Sequence, residues 1–205
     1  FFANIRQFFL NLQKKDMGFN DDNFLDDYEI QELINKFESQ LESGMPLFFD
    51  ADELNIILEH YVQKNDIPKI NIIADLASTY HEANPLTKLI MAKKYLSVQD
   101  AANALPYLLD ESNNADDPDY QLSLGYCYSL MDAHKKSLSA YKKAVKLLEK
   151  ENCDDIYNSM AVEYMMLRDF ERALHYFKKG LNASPDIAEQ YAEITNCYFF
   201  LDRAD

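Results

Sequence analysis

The stretch DDIYNSMAVEYMMLRDFERALHYFKKGLNASPD, from Asp154 to Asp186, decides the fold. It contains two runs in which apolar residues recur at helical spacing, with a short polar break between them. Pro185, close to its end, cannot continue a helix and stops the second run. This pattern is typical of two amphipathic helices joined by a tight turn, so we expect one helix–turn–helix unit here.

The same pattern returns at a fixed distance along the chain. A step of 34 residues carries one aromatic, apolar, aromatic trio onto another, namely Tyr157, Met160 and Tyr164 onto Tyr191, Ile194 and Tyr198. One tyrosine per unit marks the repeat at intervals of 34, 33, 36 and 34 residues: Tyr61, Tyr95, Tyr128, Tyr164 and Tyr198. We call these five the repeat tyrosines. A period of this length indicates a repeat array in which each unit packs mainly on its neighbours.

Small and aromatic residues stand at characteristic places in the stretch 154–186. They are Ala161, Tyr164, Ala173, Phe177, Gly180 and Pro185. On these residues the stretch resembles the tetratricopeptide repeat (TPR) family. The resemblance implies an all-α fold, a right-handed helical-repeat superhelix of the TPR-like solenoid type with N-terminal non-repeat helices. The first unit departs from the pattern, because it has Ile70 where a small residue is usual.

The repeat phase predicts how the chain is divided. Residues 1–50 form N-terminal helices, which are a cap or a divergent half-repeat, and residues 51–205 form the array. Its units are 51–84, 85–117, 118–153, 154–187 and an incomplete 188–205. The 36-residue interval accommodates a longer second helix in the third unit, through 141–153.

Helix start signals agree with this phase. Pro85, Pro118 and Pro185 open first helices, where the N–H that proline lacks has no partner to lose. The residues before them are N-caps, namely Asn84, Asp117 and Ser184. Asp50 followed by Glu53 resembles a capping box at the start of the array.

The amino-terminal stretch is strongly apolar on one side. Its apolar residues recur at helical spacing: Phe1, Phe2, Ile5, Phe8, Phe9 and Leu12. We expect a helix that caps the first repeat, with insertion into the array's own groove or a dimer contact as the alternatives. A second helix is predicted from Phe24 to Ser43, with Gly44 and Pro46 as its stop.

Composition and charge exclude several classes of function. The formal net charge is −15, which repels nucleic-acid phosphates and anionic membranes, so neither is an expected partner. Three cysteines without metal-ligand spacing indicate buried thiols in a reducing compartment, and the expected localisation is cytoplasmic.

No pattern in the chain predicts catalysis. The four histidines fall at different repeat positions, and none has a second histidine or cysteine at ligand spacing: His60, His81, His134 and His175. With 4 glycines in all, the chain has no glycine-rich phosphate loop. We therefore expect a protein that is not an enzyme, with no catalytic residues, no cofactor and no metal.

The period of 3.6 residues places one side of each first helix opposite the face buried in the array. The resemblance implies that this side lines a concave groove that binds a peptide or a helical segment. Its candidate residues are Leu89, Lys93, Leu122, Tyr126, Val162, Met165, Asn196 and Phe199. Lys93 is the one cation among them, which disfavours a clamp for a peptide carboxylate. The alternative is that tight curvature buries these residues between neighbouring first helices.

The sequence thus predicts a non-catalytic scaffold that binds a protein or peptide partner, amphipathic and with basic flanks. Two other hypotheses stay open. One is a regulatory or structural repeat segment of a larger enzyme or sensor. The other is self-association through the N-terminal helix or through the open C-terminal end of the array.

Overall fold

A computed structural model describes residues 27–110, 115–149, 153–181 and 187–201 of the protein, and these residues form helices and no strand. The all-α prediction is confirmed. The helices are α1 (Asp27–Ser43), α2 (Ala51–Lys64), α3 (Ile67–Tyr80), α4 (Pro85–Ser97), α5 (Ala101–Leu108), α6 (Pro118–Leu130), α7 (His134–Leu147), α8 (Asp154–Met166), α9 (Phe170–Gly180) and α10 (Ile187–Phe200). The predicted Phe-rich helix, Ser184 and Pro185 lie outside the described residues.

The chain divides into two compact units between residues 114 and 115. We call them the amino-terminal unit, which contains α1 to α5, and the carboxyl-terminal unit, which contains α6 to α10. In each unit, helices that follow one another in the chain pack as pairs. The predicted division into repeats of 33 to 36 residues stays a prediction.

The turn between the two helices of a pair has the same backbone geometry four times. The residue four positions after the repeat tyrosine has a positive φ: Asn65 at 56°, Gln99 at 61°, Asp132 at 55° and Arg168 at 58°. The next residue donates its N–H to the carbonyl of that tyrosine over 2.9 to 3.0 Å, in Asp66, Asp100, Ala133 and Asp169. Left-handed residues of this kind end a helix and satisfy its last carbonyls, so the chain reverses within a few residues.

Three of these four turns also cap the helix that follows. The aspartate carboxylate accepts a hydrogen bond from a backbone N–H in the first turn: Asp66 from Lys69, Asp100 from Asn103 and Asp169 from Arg172. The fourth turn has Ala133 at this place, and α7 begins without a side-chain cap. The equivalent N–H in α7, that of Lys136, donates to the backbone carbonyl of Ala133 at 2.8 Å instead of to a side chain.

The predicted start signals are confirmed where the structure describes them. Asp50 accepts a hydrogen bond from the N–H of Glu53 at 2.8 Å, and the Glu53 carboxylate accepts one from the N–H of Asp50 at 2.9 Å. Asn84 and Asp117 cap α4 and α6, each with a proline at the first helical position. Gly44 has a φ of +68° after α1, which is the predicted stop.

Tyr61 stands at the centre of the amino-terminal unit. Its ring is fully buried, and its hydroxyl donates to Glu38 Oε1 at 2.9 Å. The Lys69 ammonium donates to the same carboxylate at 2.9 Å and lies 4.5 Å from the centroid of the Tyr61 ring. Ile70, which replaces the usual small residue, is fully buried in the same core. The unit therefore accommodates the larger side chain within its packing.

Two glycines allow helices of the carboxyl-terminal unit to approach closely. A methyl group on Gly125 in α6 would lie 2.4 Å from Cε1 of Tyr141, a buried residue of α7. One on Gly180 in α9 would lie 2.3 Å from Oδ1 of Asn158 and 2.8 Å from the carbonyl oxygen of Asp154. All three distances are shorter than a van der Waals contact, so these two positions require glycine.

The expectation of a longer second helix through 141–153 is wrong. Helix α7 ends at Leu147, and Leu148 donates its N–H to the carbonyl of Ala144 at 2.9 Å. Glu149 then has a φ of 49°. The helix stops because the backbone enters the left-handed region there.

Candidate functional site

The eight predicted groove residues fall into both units. Leu89 and Lys93 belong to α4 of the amino-terminal unit, and the other six belong to α6, α8 and α10 of the carboxyl-terminal unit. Each group is described within its own unit. Whether the eight together bind a ligand stays a prediction.

In the amino-terminal unit, the predicted groove side holds a buried ion pair. The Lys93 ammonium in α4 pairs with the Glu59 carboxylate in α2, and both side chains are buried. The ammonium also donates to Oδ1 of Asn55 at 3.2 Å. The cation of the candidate set is therefore already neutralised by the protein, which agrees with the prediction that a carboxylate clamp is disfavoured. Leu89 is buried as well.

In the carboxyl-terminal unit, the apolar candidates differ in exposure. Leu122, Val162 and Met165 are half-buried and pack with their inner surface against the core of this unit. Tyr126 is buried, with 5% of its surface exposed. The first three side chains thus support the core and keep part of their surface exposed, whereas Tyr126 has little exposed surface.

The most exposed candidate is Phe199 in α10. It is 75% exposed, and its ring meets that of Phe200 edge to face at 5.8 Å. Phe200 in turn stacks on Phe170 of α9 at 4.8 Å. Asn196 is exposed on the same helix.

Sequence reasoning missed a cation that accompanies three of the repeat tyrosines. A basic residue eight positions later lies over the ring: Lys69 over Tyr61 at 4.5 Å, Lys136 over Tyr128 at 5.3 Å and Arg172 over Tyr164 at 4.9 Å. Such contacts stabilise both side chains by electrostatic attraction to the ring face. The signal was present in the sequence, because aligning the units on the tyrosine places the three cations in one column.

Sequence reasoning also missed the partner of His134, which is Glu163. Nδ1 of His134 lies 2.8 Å from Oε2 of Glu163, which is buried in α8. The two residues are 29 positions apart and belong to different helix pairs, so no short motif predicts the contact. Burial of its ring raises the pKa of Tyr141 well above the ordinary value, and the Glu163 carboxylate raises it further.

The other histidines lie apart from one another and have structural contacts. Nε2 of His81 is 2.7 Å from the carbonyl oxygen of Phe49, which joins the end of α3 to the segment before α2. His60 and His175 each pack edge to face on the tyrosine that follows them. Over the part of the chain that the structure describes, no three histidine, cysteine or acidic side chains converge as a metal site would require.

The three cysteines are buried thiols. Burial raises the pKa of Cys127, Cys153 and Cys197 to about 11, so they are protonated and unreactive at neutral pH. This agrees with the predicted role of small buried hydrophobic residues. Within the described ranges, no helix has the length and apolar character needed to cross a bilayer.

Comparison with known proteins gives one family and a common fold. The family model described as tetratricopeptide repeat matches residues 154–187. The structure is similar to that of a thermophilic TPR protein from Thermus thermophilus, with 17% sequence identity and a TM-score of 0.62, over 84% of this chain and 92% of that chain. No curated protein matches the sequence.

A more distant likeness is to a chain of the APC/C hetero-tetramer Cut9-Hcn1, with 15% identity and a TM-score of 0.49. The match covers 85% of the present chain and 40% of the chain from the Cut9-Hcn1 structure.

The paired helices, their recurring turns and the fold similarity define an all-α helical-repeat protein. The matched segment spans one full repeat, the stretch with which the sequence analysis began. Residues 154–187 thus match the tetratricopeptide repeat family, and the described part of the chain shares its helical-repeat fold with a TPR protein.

Proposed function

We propose that the protein is a non-catalytic scaffold that binds a peptide or helical segment of a partner on the groove side of its first helices. The observation that carries the proposal is the exposure of apolar side chains there. Leu122, Val162 and Met165 keep exposed surface beside the core, and Phe199 is 75% exposed. Apolar surface of this kind marks binding sites for protein partners.

The chemistry of these residues favours an amphipathic helical ligand. Half-buried aliphatic and thioether side chains adapt to apolar anchors that recur at helical spacing. The neutralised Lys93 offers no positive charge to a peptide carboxylate. The net charge of −15 favours basic flanks on the ligand, because opposite charge increases the rate of encounter.

We further infer that the protein works in the cytoplasm, that Leu89, Lys93 and Tyr126 contribute to the binding side by shaping it, and that Asn196 contributes by contact. The three buried thiols suit a reducing compartment. Buried Leu89, Lys93 and Tyr126 hold the first helices in place, while Asn196 is exposed for polar contact.

The test selects a ligand and then asks where it binds. A displayed library of amphipathic 15-residue peptides is selected on the full chain, and the Kd of the best peptide is measured by fluorescence anisotropy. Phe199→Glu and Met165→Glu are then compared with the parent. We expect each variant to weaken binding by about tenfold or more, as anchor residues of an interface do.

Phe48→Glu is the matched control. Phe48 is 73% exposed, nearly the same as Phe199, but it lies before α2 and outside the candidate set. Phe199→Glu and Phe48→Glu should melt close to the parent because both rings are mostly exposed, whereas Met165→Glu also loses packing against the core and should melt lower. Equal weakening by Phe199→Glu and Phe48→Glu would show that the peptide follows general apolar surface or charge and would overturn the assignment of the groove side.

A further inference from the structure

Helix α7 carries a concentration of positive charge in an acidic protein. Its 14 residues include five lysines and no acid, whereas the whole chain has 35 acidic and 20 basic residues. The lysines are Lys135, Lys136, Lys142, Lys143 and Lys146. At about 100° per residue, all five lie within an arc of about 120° on one side of the helix. We call this side the lysine face.

The opposite side of α7 faces the core, so the lysine face points to solvent. Ser137, Leu138, Ala140, Tyr141 and Ala144 are buried. Four of the lysines are exposed, and the Lys143 side chain is 41% exposed. The face therefore presents five ammonium groups over three turns of one rigid helix.

Few acidic groups offset these charges. Lys143 pairs with Asp116 at 3.3 Å, and the Asp116 side chain is itself 81% exposed. Lys136 and Lys142 lie over the rings of Tyr128 and Tyr164, at 5.3 and 5.6 Å from the centroids. Among the described residues, no carboxylate forms an ion pair with any of the four lysines other than Lys143. The ring contacts hold two of the lysine stems without neutralising their charge.

This arrangement reduces the stability of the isolated helix. Lys142 and Lys143 stand four and three residues before Lys146, and like charges at these spacings destabilise a helix. Lys135 and Lys136 lie in the first turn, where the helix dipole disfavours cations, and Ala133 gives no cap. All the charged departures from a stable helix here are towards positive charge. Such departures are expected where a surface serves binding.

We propose that the lysine face of α7 is a second interaction surface, distinct from the groove side of the first helices, and that it binds an acidic polypeptide segment. Carboxylates spaced along such a segment would accept hydrogen bonds from the five ammonium groups and remove their mutual repulsion.

The chemistry of the face favours carboxylates over nucleic acid. It contains no arginine, the residue best suited to bidentate phosphate recognition, and the one aromatic residue of α7, Tyr141, is buried. A single-stranded nucleic acid would need exposed rings on which its bases stack. The charge of −15 on the whole chain also disfavours a long polyanion, whereas a short acidic segment interacts mainly with charges within about 8 Å at physiological salt.

The probe is a fluorescein-labelled oligo-glutamate of ten residues, titrated with the full chain at low and at physiological salt. The test variant combines Lys135→Gln, Lys142→Gln and Lys146→Gln. We expect it to raise the Kd about tenfold, because each exposed charge contact contributes a few tenths of a kcal/mol up to about one. Glutamine has nearly the helix propensity of lysine, so the fold should be kept, which circular dichroism checks.

The control variant combines Lys36→Gln, Lys64→Gln and Lys88→Gln in the amino-terminal unit, which removes the same total charge. It should leave the Kd of oligo-glutamate within about twofold. Equal weakening by both variants would show an effect of overall charge alone and would overturn the proposal.

Two further results would also overturn it. One is tighter binding of a single-stranded oligonucleotide of the same charge, which would assign the face to nucleic acid. The other is a salt-sensitive dimer in ultracentrifugation that the test variant abolishes, which would assign it to a second copy of the chain.

Discussion

Gly125→Ala tests how closely α6 and α7 approach each other. The added methyl carbon would lie 2.4 Å from Cε1 and 2.6 Å from Cδ1 of Tyr141, whereas carbon atoms pack at about 3.5 to 4.0 Å. The Tyr141 ring is fully buried and cannot swing into solvent. One of the two helices would therefore have to move by about 1 Å.

The expected effect is the balance of two opposing terms. Replacing glycine by alanine inside a helix stabilises it by about 0.5 to 1 kcal/mol. Forcing an extra methyl group into a packed interface costs about 1 to 3 kcal/mol. We therefore expect a net loss of about 1 to 2 kcal/mol in the free energy of unfolding, or a few degrees in Tm for a chain of this size.

Urea denaturation followed by circular dichroism measures this difference. The substitution is repeated in a Tyr141→Leu background, where the two ring carbons nearest the new methyl group are absent. The cost of Gly125→Ala should be smaller there, and the difference is the coupling between the two sites. If Gly125→Ala stabilises the otherwise unchanged protein, α6 and α7 do not approach each other this closely.

Three other changes test the turns, the core and the charges. Ala133→Asp should stabilise the protein by about 1 kcal/mol in thermal unfolding, because it adds the side-chain cap that the equivalent turns have. If stability does not increase, the turn before α7 differs from the other three. Gly180→Ala should lower Tm, since the methyl group would meet a backbone carbonyl at 2.8 Å, and an unchanged Tm would contradict the packing of α8 on α9. Hydrogen bonds from Lys69 and Tyr61 hold the pKa of Glu38 below its ordinary value. The stability that Glu38 contributes is therefore present above an unfolded pKa of about 4.3, and it is lost as pH falls through the lower folded pKa. Glu38→Gln should therefore be less stable than the parent near neutral pH, and the difference should shrink at acid pH; a difference independent of pH would remove the electrostatic explanation.

Much of the fold could be predicted from the sequence because its signals are local or periodic. A capping box needs two residues three positions apart, and Asp50 with Glu53 supplied it. The repeat tyrosines indicated the period, and four of the five precede the same turn in the structure. The turns themselves were harder to predict in detail. Asparagine and aspartate tolerate a positive φ, but Gln99 and Arg168 adopt it without a local preference, because the surrounding helix pair imposes it.

Contacts between residues of different helix pairs could not be predicted from local patterns. His134 and Glu163 come together only because α7 packs on α8. The Lys93 side chain was predicted to face a ligand, and it pairs instead with Glu59 of the preceding first helix. A period of 3.6 residues indicates which side of a helix a residue occupies. It does not indicate whether a neighbouring helix already satisfies the charge on that side.

The ion pair between Glu59 and Lys93 also constrains how such a chain can evolve. The two residues are 34 positions apart, the same interval that separates the first two repeat tyrosines. Each carries the charge that the other needs, so α2 and α4, the first helices of the first two predicted repeats, are matched to each other. If one of them were exchanged with a later unit, a buried charge would lose this counterpart, at a cost of about 3 to 5 kcal/mol. The predicted repeats are therefore not interchangeable here, because the first two carry complementary charges that fix their order along the chain.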